Sequence, residues 1–130
     1  MKKLALLMGF MLCSIFAFSQ RYAVTAAQDS LVNADTTYYE IPVEMLSPGQ
    51  YTYLCNVTKV SGTVAGDVYY QVATRGSDVW YTVGTDTLTD QTLNTIVHED
   101  RLYADKFRVM WISSGTMKAY LRSAFTFKGD

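Results

Sequence analysis

Histidine, cysteine and proline are all scarce in this chain of 130 residues, which holds one His, two Cys and two Pro. A single histidine, His98, excludes zinc centres built from several imidazoles, because such sites take three or four nitrogen or sulfur ligands. No metal or other cofactor is therefore expected. His98 stands in His98-Glu99-Asp100-Arg101, which reads as a charged, solvated connection. No Gly-x-Ser-x-Gly elbow accompanies it, so a hydrolase triad has no nucleophile turn to use. No catalytic residue is assigned, and the chain is expected not to be an enzyme. Once an amino-terminal segment with Cys13 is set aside, Cys55 is the only thiol, and one thiol closes no internal disulfide.

An excess of charge of one sign is missing as well. The chain carries 11 basic and 12 acidic residues, for a net charge of −1. Without Lys2 and Lys3 the balance is nine against twelve, or −3. A mildly acidic domain has no electrostatic drive toward nucleic acid, where affinity comes from neutralised phosphates. It has no polybasic stretch for an anionic membrane surface either. No internal repeat, linker or low-complexity stretch is visible, and no window of ten residues carries helical periodicity.

Long apolar runs occur in one place only. Lys2 and Lys3 precede Leu4 to Phe18, an uncharged stretch that ends in Ala17-Phe18-Ser19 before Gln20. A basic start, an apolar middle and a small-x-small end are the three parts of a secretory signal peptide, with cleavage expected after Ser19. A stable membrane span needs about 20 apolar residues, and this run is shorter, with Gly9 inside it. Leu12 precedes Cys13 where a lipoprotein signal needs a small residue. The expected organisation is a signal peptide over 1–19 and one domain over 20–130. The product is then exported, to the periplasm, the cell surface or beyond, and meets the membrane only through its signal.

The region after the signal is rich in Thr, Val and Tyr, which favour strands. Alternation of period two, bounded by Gly, Ser and Asp, predicts eight strands. They are Tyr22 to Ala27 (running on toward Leu31 and Val32), Thr37 to Ile41, Gln50 to Ser61, Asp67 to Thr74, Val79 to Val83, Thr92 to His98, Lys106 to Ser113 and Thr116 to Phe127. Arg75 to Asp78 and Ser113 to Thr116 read as hairpin turns, and Gly84 to Asp90 as a polar loop. One apolar face per strand fits an antiparallel β-sandwich, jelly-roll or immunoglobulin-like.

Among side chains that carry chemistry, Asp86 and Asp90 are too few for a calcium site, which takes six to eight oxygens. Asn56-Val57-Thr58 matches a glycosylation sequon but falls inside a predicted strand. Lys118, Arg122 and Lys128 recur on the polar face of the last strand, where such charges discourage edge pairing. The aromatic doublets are the main candidates. Tyr69-Tyr70 and Trp80-Tyr81 fall on consecutive strands, and each doublet turns one ring inward and one outward. Two outward rings on neighbouring strands can form a stacking platform for a sugar. The same rings, as cross-strand pairs, can simply stabilise the sheet.

The segment Thr58 to Gly84 carries a further pattern. Lys59 and Val60 lead into the Ser61 to Gly66 loop, the Asp67 to Thr74 strand, the Gly76 to Asp78 turn and Trp80-Tyr81. Gly84 to Leu88, Phe107-Arg108-Val109 and Ser114-Gly115-Thr116 continue it. Over most of Thr58 to Phe127 the chain resembles small β-sandwich proteins from structural gene clusters of crAss-like and related Bacteroidetes phages. That resemblance implies a non-enzymatic, virion-associated role in surface or assembly. Phage particles assemble in the cytoplasm, so the export signal fits a secreted bacterial relative equally well. A structural or adhesive module with a protein partner or with itself is the expected function, and a carbohydrate-binding module is the alternative.

Overall fold

The computed structural model describes residues 21–25, 29–41, 49–102 and 104–129. The proposed signal peptide lies outside them. Among these residues nine strands run in chain order: β1 (Arg21–Thr25), β2 (Asp29–Val32), β3 (Thr36–Ile41), β4 (Gly49–Ser61), β5 (Gly66–Ala73), β6 (Tyr81–Leu88), β7 (Leu93–Leu102), β8 (Lys106–Ser113) and β9 (Lys118–Gly129). β1 and β2 both pair with β9, from Arg21↔Lys128 to Thr25↔Ala124 and from Asp29↔Leu121 to Val32↔Lys118. They therefore share one strand position, as the extension of the first predicted strand toward Val32 implies.

Two antiparallel sheets result. One runs β1/β2-β9-β4-β7, and the other β3-β8-β5-β6. Almost every connection crosses between sheets, and among the described residues β5–β6 is the one consecutive pair hydrogen-bonded side by side. With β1/β2 counted as one, eight strands in this order form the two interleaved Greek keys of a jelly roll, so of the two expected sandwich types the jelly roll is found. The Ser113 to Thr116 turn is accordingly not a hairpin. β8 and β9 lie in different sheets, and the turn is an arch between them.

The interior follows from alternation. Tyr51, Tyr53, Cys55 and Val57 of β4 point inward, as do Phe107, Val109 and Trp111 of β8 and Ala119, Leu121, Phe125 and Phe127 of β9. Trp111, Tyr53, Tyr70, Phe107 and Phe125 are among the largest fully buried side chains, each worth roughly 1.5–3 kcal/mol of burial. Their rings interlock across the layers, with Tyr51 and Phe107 centroids 4.7 Å apart and Tyr53 edge-on to Tyr70 at 5.9 Å.

At one end of the sandwich the connections are sewn to one another. Ser114 N–H donates to the Ala65 carbonyl at 3.0 Å, Ser113 N–H donates to the Asp35 carbonyl at 3.0 Å, and Asp35 N–H donates to Ser113 Oγ at 2.9 Å. Asp90 accepts from Lys59 Nζ at 2.7 Å and from Val64 N–H at 2.9 Å. Gly62 and Gly115 permit the close approach. A Cβ on Gly62 would lie 1.6 Å from the Thr116 carbonyl oxygen, and one on Gly115 2.2 Å from that of Thr63. The Ser61–Gly66 and Ser114–Thr116 motifs thus have a packing reason.

Two expected loops are strands. Gly84 to Leu88 belongs to β6, because Thr85 and Thr87 alternate outward against Gly84, Asp86 and Leu88. His98 to Arg101 belongs to β7, where Gly49 to Tyr53 of β4 supply the ladder through the register Gly49↔Leu102 to Tyr53↔His98. Backbone pairing outweighs the local run of charge there.

Candidate functional site

The outer face of the four-stranded sheet carries the most distinctive arrangement of side chains. Three registers cross it: Tyr38–Met110–Tyr69–Thr85, then Glu40–Arg108–Gln71–Thr82, then Thr36–Ile112–Asp67–Thr87. Strand alternation sends all of these outward, opposite the buried Val109, Trp111 and Tyr70. The result is a broad face of rings and thioether with one guanidinium at its centre.

Arg108 is that centre. Its guanidinium carbon lies 4.1 Å from the Trp80 ring centroid and 4.7 Å from that of Tyr38. Tyr38 reaches it from the Met110 register, and Trp80 from the connection that precedes β6. Arg108 Nε donates to Gln71 Oε1 at 2.8 Å, and Gln71 Nε2 donates in turn to Thr82 Oγ1 at 3.2 Å. Glu40 stands 3.8 Å from a terminal guanidinium nitrogen. Two rings, an amide and a carboxylate therefore fix one cation on the sheet face. Each cation–π contact of this kind is worth about 0.5–2 kcal/mol.

A second cluster lies between β6 and β7, at the open side of the sandwich. His98 stacks on Tyr70 with ring centroids 3.7 Å apart and planes 8° from parallel. Tyr70 Oη donates to Asp86 at 2.7 Å. Gly84 leaves the space for this stack, since a Cβ there would sit 2.9 Å from His98 Cε1. Among the described residues, His98 Nε2 and Tyr51 Oη are buried without a hydrogen-bond partner. Burial pushes the phenols of Tyr51, Tyr53 and Tyr70 well above their ordinary value, and the nearby Asp100 and Asp86 carboxylates add to the effect on Tyr51 and Tyr70 respectively. Burial likewise raises the Cys55 thiol, against the hydrogen bond from Ser123. His98 is thus a packed residue and not the solvated loop histidine expected.

Of the four aromatic candidates, the structure places Tyr69 on the outer face and Trp80 over Arg108 beside it. Tyr70 is fully buried and drops out of any surface platform. Tyr81 is opposite Val72, on the side away from Thr82 and Gln71, so it is exposed but apart from the other rings. Trp80 lies in the connection before β6 and not on the predicted strand.

Sequence reasoning missed Tyr38, Arg108 and Gln71 as companions of Trp80. Tyr38-Tyr39 is a third doublet with the same in-out logic, and Arg108 alternates with Phe107 and Val109. What no local pattern encodes is that β3 lies against β8 and β8 against β5. Asp86 and Asp90 do not share a site, since one binds Tyr70 and the other Lys59 and Val64. Asn56 lies on the outer face of β4, where Thr95 Oγ1 donates to its Oδ1 at 3.0 Å. Lys118 and Lys128 guard no edge, because β9 is paired on both sides there, and Arg122 lies between the β1 and β2 pairings.

No family model and no curated protein matches this sequence. Solved structures do match in fold. The PBSX exported protein XepA is 9% identical with a TM-score of 0.61, over 84% of this chain and 37% of that one. This chain therefore spans well under half of XepA. A protein of the disulfide-linked Bacillus endospore appendage pili is 12% identical with a TM-score of 0.50, over 88% and 95% of the two chains. The Yersinia pseudotuberculosis-derived mitogen is 7% identical with a TM-score of 0.51, over 85% and 88%. At these identities the shared property is the all-β sandwich itself.

Proposed function

We propose that the protein is a non-enzymatic, exported structural or adhesive module that works by surface contact, with itself or with another protein. The observation that carries this reading is the outer face of the β3-β8-β5-β6 sheet. There Tyr38, Met110, Tyr69 and Trp80 surround an arginine already fixed in place. Interfaces are enriched in aromatic residues, Met and Arg, and pre-ordered anchors bind with less loss of side-chain entropy.

Several features support export and a place on a particle or cell surface. They are the signal-like segment over 1–19, the phage-type turn motifs, and the fold shared with an exported protein and a pilus protein. The disulfide linkage of those pili has no counterpart in Cys55, which is buried. Mass spectrometry of the protein recovered outside the cytoplasm should find a chain that begins at Gln20. An intact chain retained in the cytoplasm would contradict export.

Contact through the outer face is tested by Arg108→Ala and Trp80→Ala. Both should weaken association in light scattering at least tenfold while leaving the circular dichroism of the sheets unchanged. Equal association in both variants would remove this face from the function. The carbohydrate reading is favoured by one observation, the exposed ring of Tyr38 and the half-buried rings of Tyr69 and Trp80 on one side of the sheet. A glycan array with hits that vanish in Trp80→Ala would establish it, and an array without hits would end it.

A further inference from the structure

Each sheet ends in two edge strands, and proteins ordinarily blunt such edges with charge, proline, bulges or brevity. β3 is six residues long and carries Glu40. β1 and β2 are two short pieces. β7 carries Glu99, Asp100 and Arg101. β6 differs. It pairs with β5 alone, and its sequence from Tyr81 to Leu88 contains no Lys, Arg, Glu or Pro. Its one charge, Asp86, is turned inward and bonded to Tyr70. A bulge at Val83 disturbs its start, where the register with β5 shifts between Tyr70 and Gln71. Beyond the bulge Gly84 to Leu88 is regular, and its outer backbone groups have no strand partner among the described residues.

We propose that β6 is the contact by which a second copy of this chain adds to the sheet. The two β6 strands run antiparallel about a two-fold axis at Thr85. This rests on the self-association reading above and adds to it an edge contact beside the outer face, one that does not involve Arg108 or Trp80. An antiparallel edge is complementary to itself under a two-fold axis, because each strand offers the other the same row of donors and acceptors. With the axis at Thr85, Thr85 meets Thr85, a favourable cross-strand pair. Asp86 meets Gly84, so no two carboxylates are brought opposite each other. The outer face then continues across the junction. The row Tyr38–Met110–Tyr69–Thr85 joins its copy through Thr85, and two arginine-centred faces merge into one surface eight strands wide.

The test is charge swapping at Thr85, an exposed position on the outer face. Light scattering of the purified protein should give the mass of two chains. Thr85→Lys and Thr85→Glu should each give the mass of one chain, with unchanged circular dichroism. Mixing the two variants should restore the two-chain mass. Thr85→Cys, which adds no charge, should crosslink to its counterpart on oxidation. An unmodified protein that stays single-chain at millimolar concentration overturns both this geometry and the self-association reading. A two-chain mass that survives in both charged variants overturns the β6 contact and leaves self-association standing. A charged pair that fails to reassociate overturns the β6 contact, and Thr85→Cys without a crosslink overturns the register centred on Thr85.

Discussion

Gly84 sits in the middle of an edge strand, where glycine weakens a strand by its backbone entropy. Its reason is the ring beside it. A methyl group there would lie 2.9 Å from His98 Cε1 and 3.2 Å from Tyr70 Cδ2. Gly84→Ala should therefore part the His98–Tyr70 stack and cost about 1–3 kcal/mol, read from urea unfolding. An unchanged midpoint would mean that the stack is looser than described. The buried phenols yield a second expectation. Tyr51, Tyr53 and Tyr70 have folded-state pKa values above the unfolded value of about 10. Their contribution to stability is complete below about pH 10 and is lost above it, by up to about 1.4 kcal/mol per pH unit for each. Tyrosinate absorbance should show these three groups ionising only as the protein unfolds. Their burial could be read from alternation in β4 and β5. The partners of their hydroxyls could not, since Tyr53 meets Ser123 from 70 residues away.

Elements were legible in proportion to how much of each strand is buried. β4, β8 and β9 lie in the middle of their sheets, so one face of each is apolar apart from Ser113 and Ser123 and the period of two is plain. β6 and β7 lie at edges. Their outer faces are polar, and the Gly84–Leu88 and His98–Arg101 stretches looked like loops because hydropathy marks burial and not pairing. The Ser113–Thr116 turn was found but misassigned, because hairpins and arches use the same glycine and serine chemistry. The seam between the 62–66 and 114–117 connections carries its own expectation. Gly62 has φ +75° and no space for a Cβ against Thr116. Gly62→Ala should cost about 4 kcal/mol, from left-handed strain of roughly 1–2 kcal/mol and a backbone clash of roughly 1–3 kcal/mol. Thermal unfolding checks this. A loss under about 1 kcal/mol would mean that the two connections can part freely.

At the scale of the whole molecule, the jelly roll fills its interior with interlocked rings and leaves chemistry to its faces and edges. The strand order explains why the candidate surface was only half visible beforehand. Trp80 and Tyr69 are close in sequence, but Tyr38 and Arg108 arrive through pairings that span the chain. The same order makes β6 and β7 the two edges of one open side, and of the two only β6 has no outward charge, its Asp86 being bonded to Tyr70. Hydrogen exchange followed strand by strand, in dilute and in concentrated protein, tests both the layering and the surface role. β4, β9, β5 and β8 should be protected in both samples, and β6 should gain protection only on concentration. Rapid exchange in those four central strands, or a β6 that exchanges equally in both samples, would contradict the account.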